Sequence, residues 1–330
     1  MSKVIQFNQR GHDDFIDFIK AYAIICVIFG HTFPCLDQVG YGLWAGMQVP
    51  LFILVQTFHS FKKEFCSFSF KKVFLRVLLP FLFIEFLTFL LASFFTSNSG
   101  NVLIEKFIKN GGFGPGSYYP WLYIQVSLFL PLFAKVLQTI NKYQSFLLFI
   151  FVCEGLEIFF SLFDFPDSIY RLLFIRYLFL IYLGWLWVKE GIQLNFINIF
   201  LSFISLMSIL YFEYLSTNNE PWFYNTVWKY HRWPCYYYVA YLLSAFLYGI
   251  WVRINKYILV NYIVSVLAKS SYEIFLTQMS TIFMFHRGFF SSISNGYIQY
   301  FSWLLFIWVI SIVGGILLHK VFSLYLFSTK

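Results

Sequence analysis

Long stretches of this chain carry almost nothing polar; Phe81 to Phe95 holds only Glu85, Thr88 and Ser93 against twelve apolar positions. A helix that crosses a bilayer needs about 20 mostly apolar residues to span about 30 Å of hydrocarbon. Runs of that kind lie near residues 15–33, 42–60, 73–96, 119–134, 145–163, 171–188, 194–212, 235–252, 271–289 and 298–318. The pattern predicts an all-α polytopic integral membrane protein of about ten transmembrane helices. No repeat, soluble insertion or low-complexity tail divides it, so residues 1–330 are expected to form a single transmembrane domain. His12, Asp13 and Asp14 precede the first run and no small-residue cleavage site follows it, so this run is expected to remain as the first span.

Ten crossings would leave both termini on one side, and the basic residues indicate which. Cytoplasmic connections carry the excess of Lys and Arg. With the N-terminus inside, fourteen of the chain's 23 Lys and Arg fall in inner segments and six in outer ones, which leaves Lys20, Arg76 and Arg176 within spans. Both termini are therefore expected to be cytoplasmic in a multi-pass protein of the cell membrane. The longest outer connections would then be the Gly/Ser/Asn-rich stretch at 97–118 and the polar-aromatic stretch at 213–234.

Composition agrees with a lipid solvent. Apolar residues make up 60% of the 330, charged residues only 12%, and mean hydropathy is +0.71, a balance that polar surface could not cover in water. Aromatics reach 24%, with 46 Phe, 24 Tyr and 10 Trp; the Trp and Tyr among them suit the headgroup belt. The net charge of +8 is scattered at the ends of apolar runs instead of forming one patch, which argues for topology and against a nucleic-acid partner.

Five cysteines (26, 35, 66, 153 and 235) show no CxxC or Cys/His ligand spacing. His12, His59, His231, His286 and His319 fall at span ends or in loops without such spacing, so no metal site is expected. Cys35 and Cys235 both lie at predicted outer ends, where they either pair or stay as ordinary buried thiols.

Ionisable side chains at membrane depth cost at least about 2.5 kcal/mol each by insertion scales and are functional candidates by default. They are Asp17, Lys20 and His31 in the first span, Arg76 and Glu85 in the third, Glu154 and Glu157 in the fifth, and Arg176 in the sixth. Asp17, Lys20 and His31 stand three and eleven residues apart on one helical face, and a rise of 1.5 Å per residue puts His31 about 16 Å outward of Lys20. Either this stripe is a reactive track, or Asp17 and Lys20 are an interfacial ion pair and His31 ends a helix.

The first span, with Lys20, ten residues ending in Gly30 and then His31, resembles the opening of the acyltransferase-3 family of membrane acyltransferases. MQVPLFIL at 47–54, KKVFLRVLLPF at 71–81, PWLYIQ at 120–125, RYLFLIYLG at 176–184 and LAKSSYEIFLTQ at 267–278 are similar to later family motifs in the same order. The chain departs from the family at Val55-Gln56-Thr57, where Ser-Gly is usual, and at Gln278, where a late His is usual. Arg76 also lacks a partner Arg three residues earlier, though Lys72 is one turn away.

The resemblance implies transfer of an acyl group, most plausibly acetyl, from cytosolic acyl-CoA to a hydroxyl of a surface carbohydrate or lipid-linked sugar. The donor is a substrate, and no bound cofactor is implied. His31 would act as the general base, or form a transient acyl-His. Lys20, Lys72 and Arg76 would neutralise the CoA phosphates, with Asp17 holding Lys20 in place.

Acceptor contacts are expected from Glu154, Glu157, Arg176 and Trp121. The two acids either orient His31 or bind sugar hydroxyls, or else pair with Arg171 or Arg176, and Trp121, with Tyr119 and Tyr123, either belongs to the aromatic belt or stacks on a sugar. No GxSxG, HExxH, Walker or dinucleotide glycine pattern occurs. A polysaccharide exporter is the alternative class, and it predicts paired, broken spans in two related halves, which the sequence does not show.

Overall fold

The computed structural model describes residues 3–7, 13–33, 41–44, 46–63, 68–95, 100–170, 172–217, 233–285 and 295–327. Each of the ten apolar runs contains helix. Among the described residues, six helices are long and apolar enough to cross a membrane by themselves: α1 (Asp14–Thr32), then Phe70–Phe94, Tyr119–Thr139, Lys142–Leu162, Trp233–Ile254 and Gly296–Leu324. Ile258–Lys269 and Ser271–Met284 make a seventh only if counted together, because the pair bends by 66° at Ser270.

Hydropathy expects ten crossings, and among the described residues six or seven helices meet the length requirement; packing encloses two of the runs that fall short. Gln48–Phe61 has fourteen residues and Leu178–Glu190 thirteen, about 20 Å each at helical rise. These two helices pack chiefly on each other, and every residue from Leu178 to Trp187 is buried. A run enclosed by protein reads as apolar as one bathed in lipid, but it need not be long enough to cross alone.

Close approach fixes that pairing. A Cβ at Gly184 would overlap Thr57 Oγ1 and reach Thr57 Cβ at 2.7 Å. Gly184 ends the RYLFLIYLG motif, and its smallness admits Thr57, one of the three residues that depart from the family pattern.

Asp13 caps α1 by accepting from the backbone N–H groups of Phe15 and Ile16. A feature that hydropathy misses precedes it. Strands β1 (Lys3–Ile5) and β2 (Ile192–Leu194) pair antiparallel, Lys3 opposite Leu194 and Ile5 opposite Ile192. Three residues are too few to show an alternating pattern. Gly191 turns into β2 at φ +70°, where a Cβ would collide with the Ile5 carbonyl. Phe7 continues the clamp, its ring 5.4 Å from that of Trp187 and 4.7 Å from that of Phe58.

The third span is not uniform. Residues Phe74–Leu78 form a π turn, in which the Leu79 N–H donates to the Phe74 carbonyl. Pro80 has no N–H to offer the Arg76 carbonyl, and its ring crowds that carbonyl, so the helix widens just before it. Arg76 sits in the widened turn. Cys35 and the outer tryptophans Trp222 and Trp228 lie outside the described residues, as does Arg171.

Candidate active site

His31 occupies the last turn of α1 and Lys20 its first half, and both line one cavity of about 380 Å³. Two of the three residues of the stripe read from the sequence, Lys20 and His31, thus face one cavity. His59, Arg76 and Lys269 join Lys20 in lining it, and apolar and aromatic side chains such as Phe52, Tyr119 and Phe275 supply much of the rest. Lys269 ends Ile258–Lys269, which packs closely along α1.

A smaller cavity of about 130 Å³ shares Arg76, Val77 and Tyr123 with the first and adds Lys63 and Lys72 together with Ser60, Ser69 and Ser127. Five cations, Lys20, Lys63, Lys72, Arg76 and Lys269, therefore border two adjacent cavities. Lys72 lies in the smaller compartment, beside Arg76. Such clustering suits a ligand carrying several phosphate charges, since separate cations each contribute a charge-assisted contact.

Asp17 is buried, and its Oδ1 accepts from Lys20 Nζ at 3.0 Å. At fourteen residues from His31 along one helix it stands about 21 Å from it, so it orients the lysine and does not reach the imidazole. The imidazole has another neighbour. Gln278 Nε2 lies 2.9 Å from His31 Nδ1, placing the amide where the family pattern has its late His.

The Gly-rich part of the 97–118 connection comes close to His31. Gly116 lines the main cavity, and a Cβ on it would lie 3.7 Å from His31 Cε1 and 3.0 Å from the Phe275 ring. Gly111, Gly112, Gly114 and Gly116 all have φ between +76° and +149°, a region that favours glycine. Three bonds hold the loop: Glu85 Oε2 accepts from the Phe113 N–H at 2.9 Å, Ser117 Oγ donates to the Asn110 carbonyl at 3.0 Å, and Trp121 Nε1 donates to the Gly111 carbonyl at 2.6 Å. Glu85, an acid at membrane depth, is thereby a loop anchor.

The remaining sequence candidates lie elsewhere. Glu154 accepts from Trp233 Nε1 at 2.6 Å, Glu157 is buried in the same helix, and the Arg176 carbonyl accepts from the Tyr236 hydroxyl at 3.1 Å. The Arg176 guanidinium stands 5.9 Å from the centre of the Tyr177 ring. None of these three lines the cavity that holds His31, and Trp121 meets that cavity only through the loop it fastens.

Sequence reasoning passed over Lys63, Lys269 and His59 as residues of positive-inside topology or of the interface. Lys269 had a signal, since it falls within the LAKSSYE motif. Gln56 also gains a role, donating to the Tyr123 carbonyl and to Ser127 Oγ, both at 2.9 Å, and so tying Gln48–Phe61 to Tyr119–Thr139 across the cavity wall.

No curated protein and no solved structure matches the chain. A family model described as an acyltransferase domain matches residues 13–320, nearly the whole length. The matched segment begins at the cap of α1 and includes every cavity-lining residue named above, and the chain belongs to the acyltransferase-3 family.

Proposed function

We propose that this protein is a membrane-bound O-acyltransferase that moves an acyl group, acetyl first among them, from acyl-CoA to a hydroxyl of a surface carbohydrate or lipid-linked sugar. The observation that carries the reading is the shared cavity, with His31 at one level and Lys20, Arg76 and Lys269 at the other. A CoA ester laid along it would set its phosphates among the cations, with Lys72 and Lys63 in the side compartment, and extend its thioester toward His31. His31 then removes the proton from the acceptor hydroxyl as that oxygen attacks the thioester carbonyl. Attack of the imidazole itself, giving an acyl-His, is the covalent variant of the same geometry.

The acceptor enters beside the loop at Gly111–Ser117, the segment in contact with His31, with Trp121 holding the loop in position. In this reading the chain crosses the cell membrane ten times, both termini cytoplasmic, so that donor and acceptor meet from opposite faces. The test is the acetyl content of surface polysaccharide, by NMR of the purified polymer, in cells carrying the wild type, His31→Ala or no protein. Acetyl present only with the wild type is expected. Equal acetylation with His31→Ala rejects the base assignment, and unchanged acetylation with loss of surface polymer points to export instead.

A further inference from the structure

The partner of a histidine's second ring nitrogen decides which nitrogen carries the proton. For His31 that partner is an amide, which differs from a carboxylate in one respect: it can donate through Nε2 or accept through Oε1, and a half-turn about its last torsion exchanges the two. The amide has Nε2 toward the ring, 2.9 Å from Nδ1. In this orientation Nδ1 accepts, the ring proton sits on Nε2, and the imidazole has no lone pair left for a hydroxyl proton. Gln278 is fully buried, and its Oε1 has no hydrogen-bond partner among the described residues. Gln278 itself does not line the cavity, whereas His31 does; the amide stands behind the ring.

Building on the acyl-transfer reading, we propose that Gln278 is a positioning residue that switches His31 between two tautomers. Rotated by a half-turn, the amide presents Oε1 to Nδ1–H. Nε2 gives up its proton to water and Nδ1 takes one up from water, so the ring stays neutral with its proton on Nδ1, and the Nε2 lone pair becomes available to the acceptor hydroxyl. The step balances as follows. The hydroxyl proton passes to Nε2 as the new O–C bond forms at the thioester carbonyl. The imidazolium donates from Nδ1 to Oε1, the C–S bond breaks, and the leaving thiolate takes the proton back from Nε2. Histidine and glutamine end unchanged.

The otherwise unsatisfied Oε1 thus has its use in the reacting state. A carboxylate would hold Nδ1–H permanently, and an apolar residue would hold neither form.

The experiment uses the full chain in lipid nanodiscs with 15N-labelled histidine, the His31 ring signals being identified by their loss in His31→Ala. Gln278→Met removes both hydrogen-bonding atoms at similar volume, and Gln278→Glu retains an acceptor. The expected result is that Nδ1 changes from a hydrogen-bonded to a free ring nitrogen in Gln278→Met and becomes the protonated nitrogen in Gln278→Glu. Surface acetylation should fall about 10–100-fold in Gln278→Met and be restored in part by Gln278→Glu. Ring signals identical in wild type and Gln278→Met overturn the proposal. Because the spectra require no turnover, altered signals in a protein that acetylates nothing would leave the tautomer control standing and reject the acyl-transfer reading. Unchanged signals with His31-dependent acetylation would do the reverse.

Discussion

Tyr272 and Val77 join the two halves of the site: the tyrosine hydroxyl donates to the Val77 carbonyl at 2.8 Å across 195 residues of sequence. Val77 lies in the π turn that carries Arg76, and Tyr272 follows Ser271 at the bend after Lys269. One hydrogen bond thus sets the spacing between two of the cations.

Tyr272→Phe should keep the fold and lower its stability by about 1 kcal/mol, the usual net worth of such a bond. Its diagnostic effect is on the donor. The acetyl-CoA concentration giving half-maximal transfer should rise several-fold with the maximal rate little changed, and an unaltered value would show that the spacing is set elsewhere.

Lys20 and Asp17 separate structure from function. Lys20→Met leaves the Asp17 carboxylate buried without its cation, a loss of about 3 kcal/mol for a broken buried pair. The double change Asp17→Asn with Lys20→Met should recover most of the melting temperature and none of the acetylation. If the double variant acetylates normally, Lys20 has no part in donor binding.

Arg76→Gln and Lys269→Gln remove single cations from the shared space. Each should weaken acetyl-CoA binding about tenfold, the size of one charge-assisted contact. The two losses should partly merge in the double variant if both cations serve the same phosphates. Ligand-induced thermal shifts over a range of acetyl-CoA concentrations measure this without the acceptor.

The loop glycines differ from the helical ones. A Cβ at Gly114 (φ +84°) would overlap the Met279 carbonyl oxygen, whereas one at Gly155 meets nothing within 4 Å. Gly114→Ala should therefore displace the loop and abolish acetylation. Gly155→Ala should be neutral or raise stability by up to about 1 kcal/mol, the helix-propensity difference between the two residues. Thermal unfolding with acetylation measured in parallel distinguishes them.

Helix positions were legible because each apolar run imposes its own period, and the His31–Lys20 face followed from helical geometry alone. Helix lengths were not, since the Leu178–Glu190 run is enclosed by protein and hydropathy cannot tell protein from lipid. The contacts of Gln278, Lys269 and Gly116 escaped for another reason, although the first two fall within the LAKSSYEIFLTQ motif. These residues reach His31 and the cavity only through contacts across 80 to 250 positions, and no local pattern encodes those. Glu154 and Glu157 looked alike in sequence to Glu85, as acids in apolar text, and only the packed structure separates a loop anchor beside the site from a Trp233-bonded carboxylate away from it.

The pairing of Lys3–Ile5 with Ile192–Leu194 carries a consequence for biosynthesis. The ribosome completes α1 long before it makes the strand that braces the segment leading into it. The helix bearing Lys20 and His31 must therefore enter the bilayer unbraced and wait for more than 150 further residues before its leading segment is fastened. Translation past Leu194 is the earliest moment at which this clamp can close, so truncated chains ending before that point should hold the first helix in the membrane without the strand that steadies its approach.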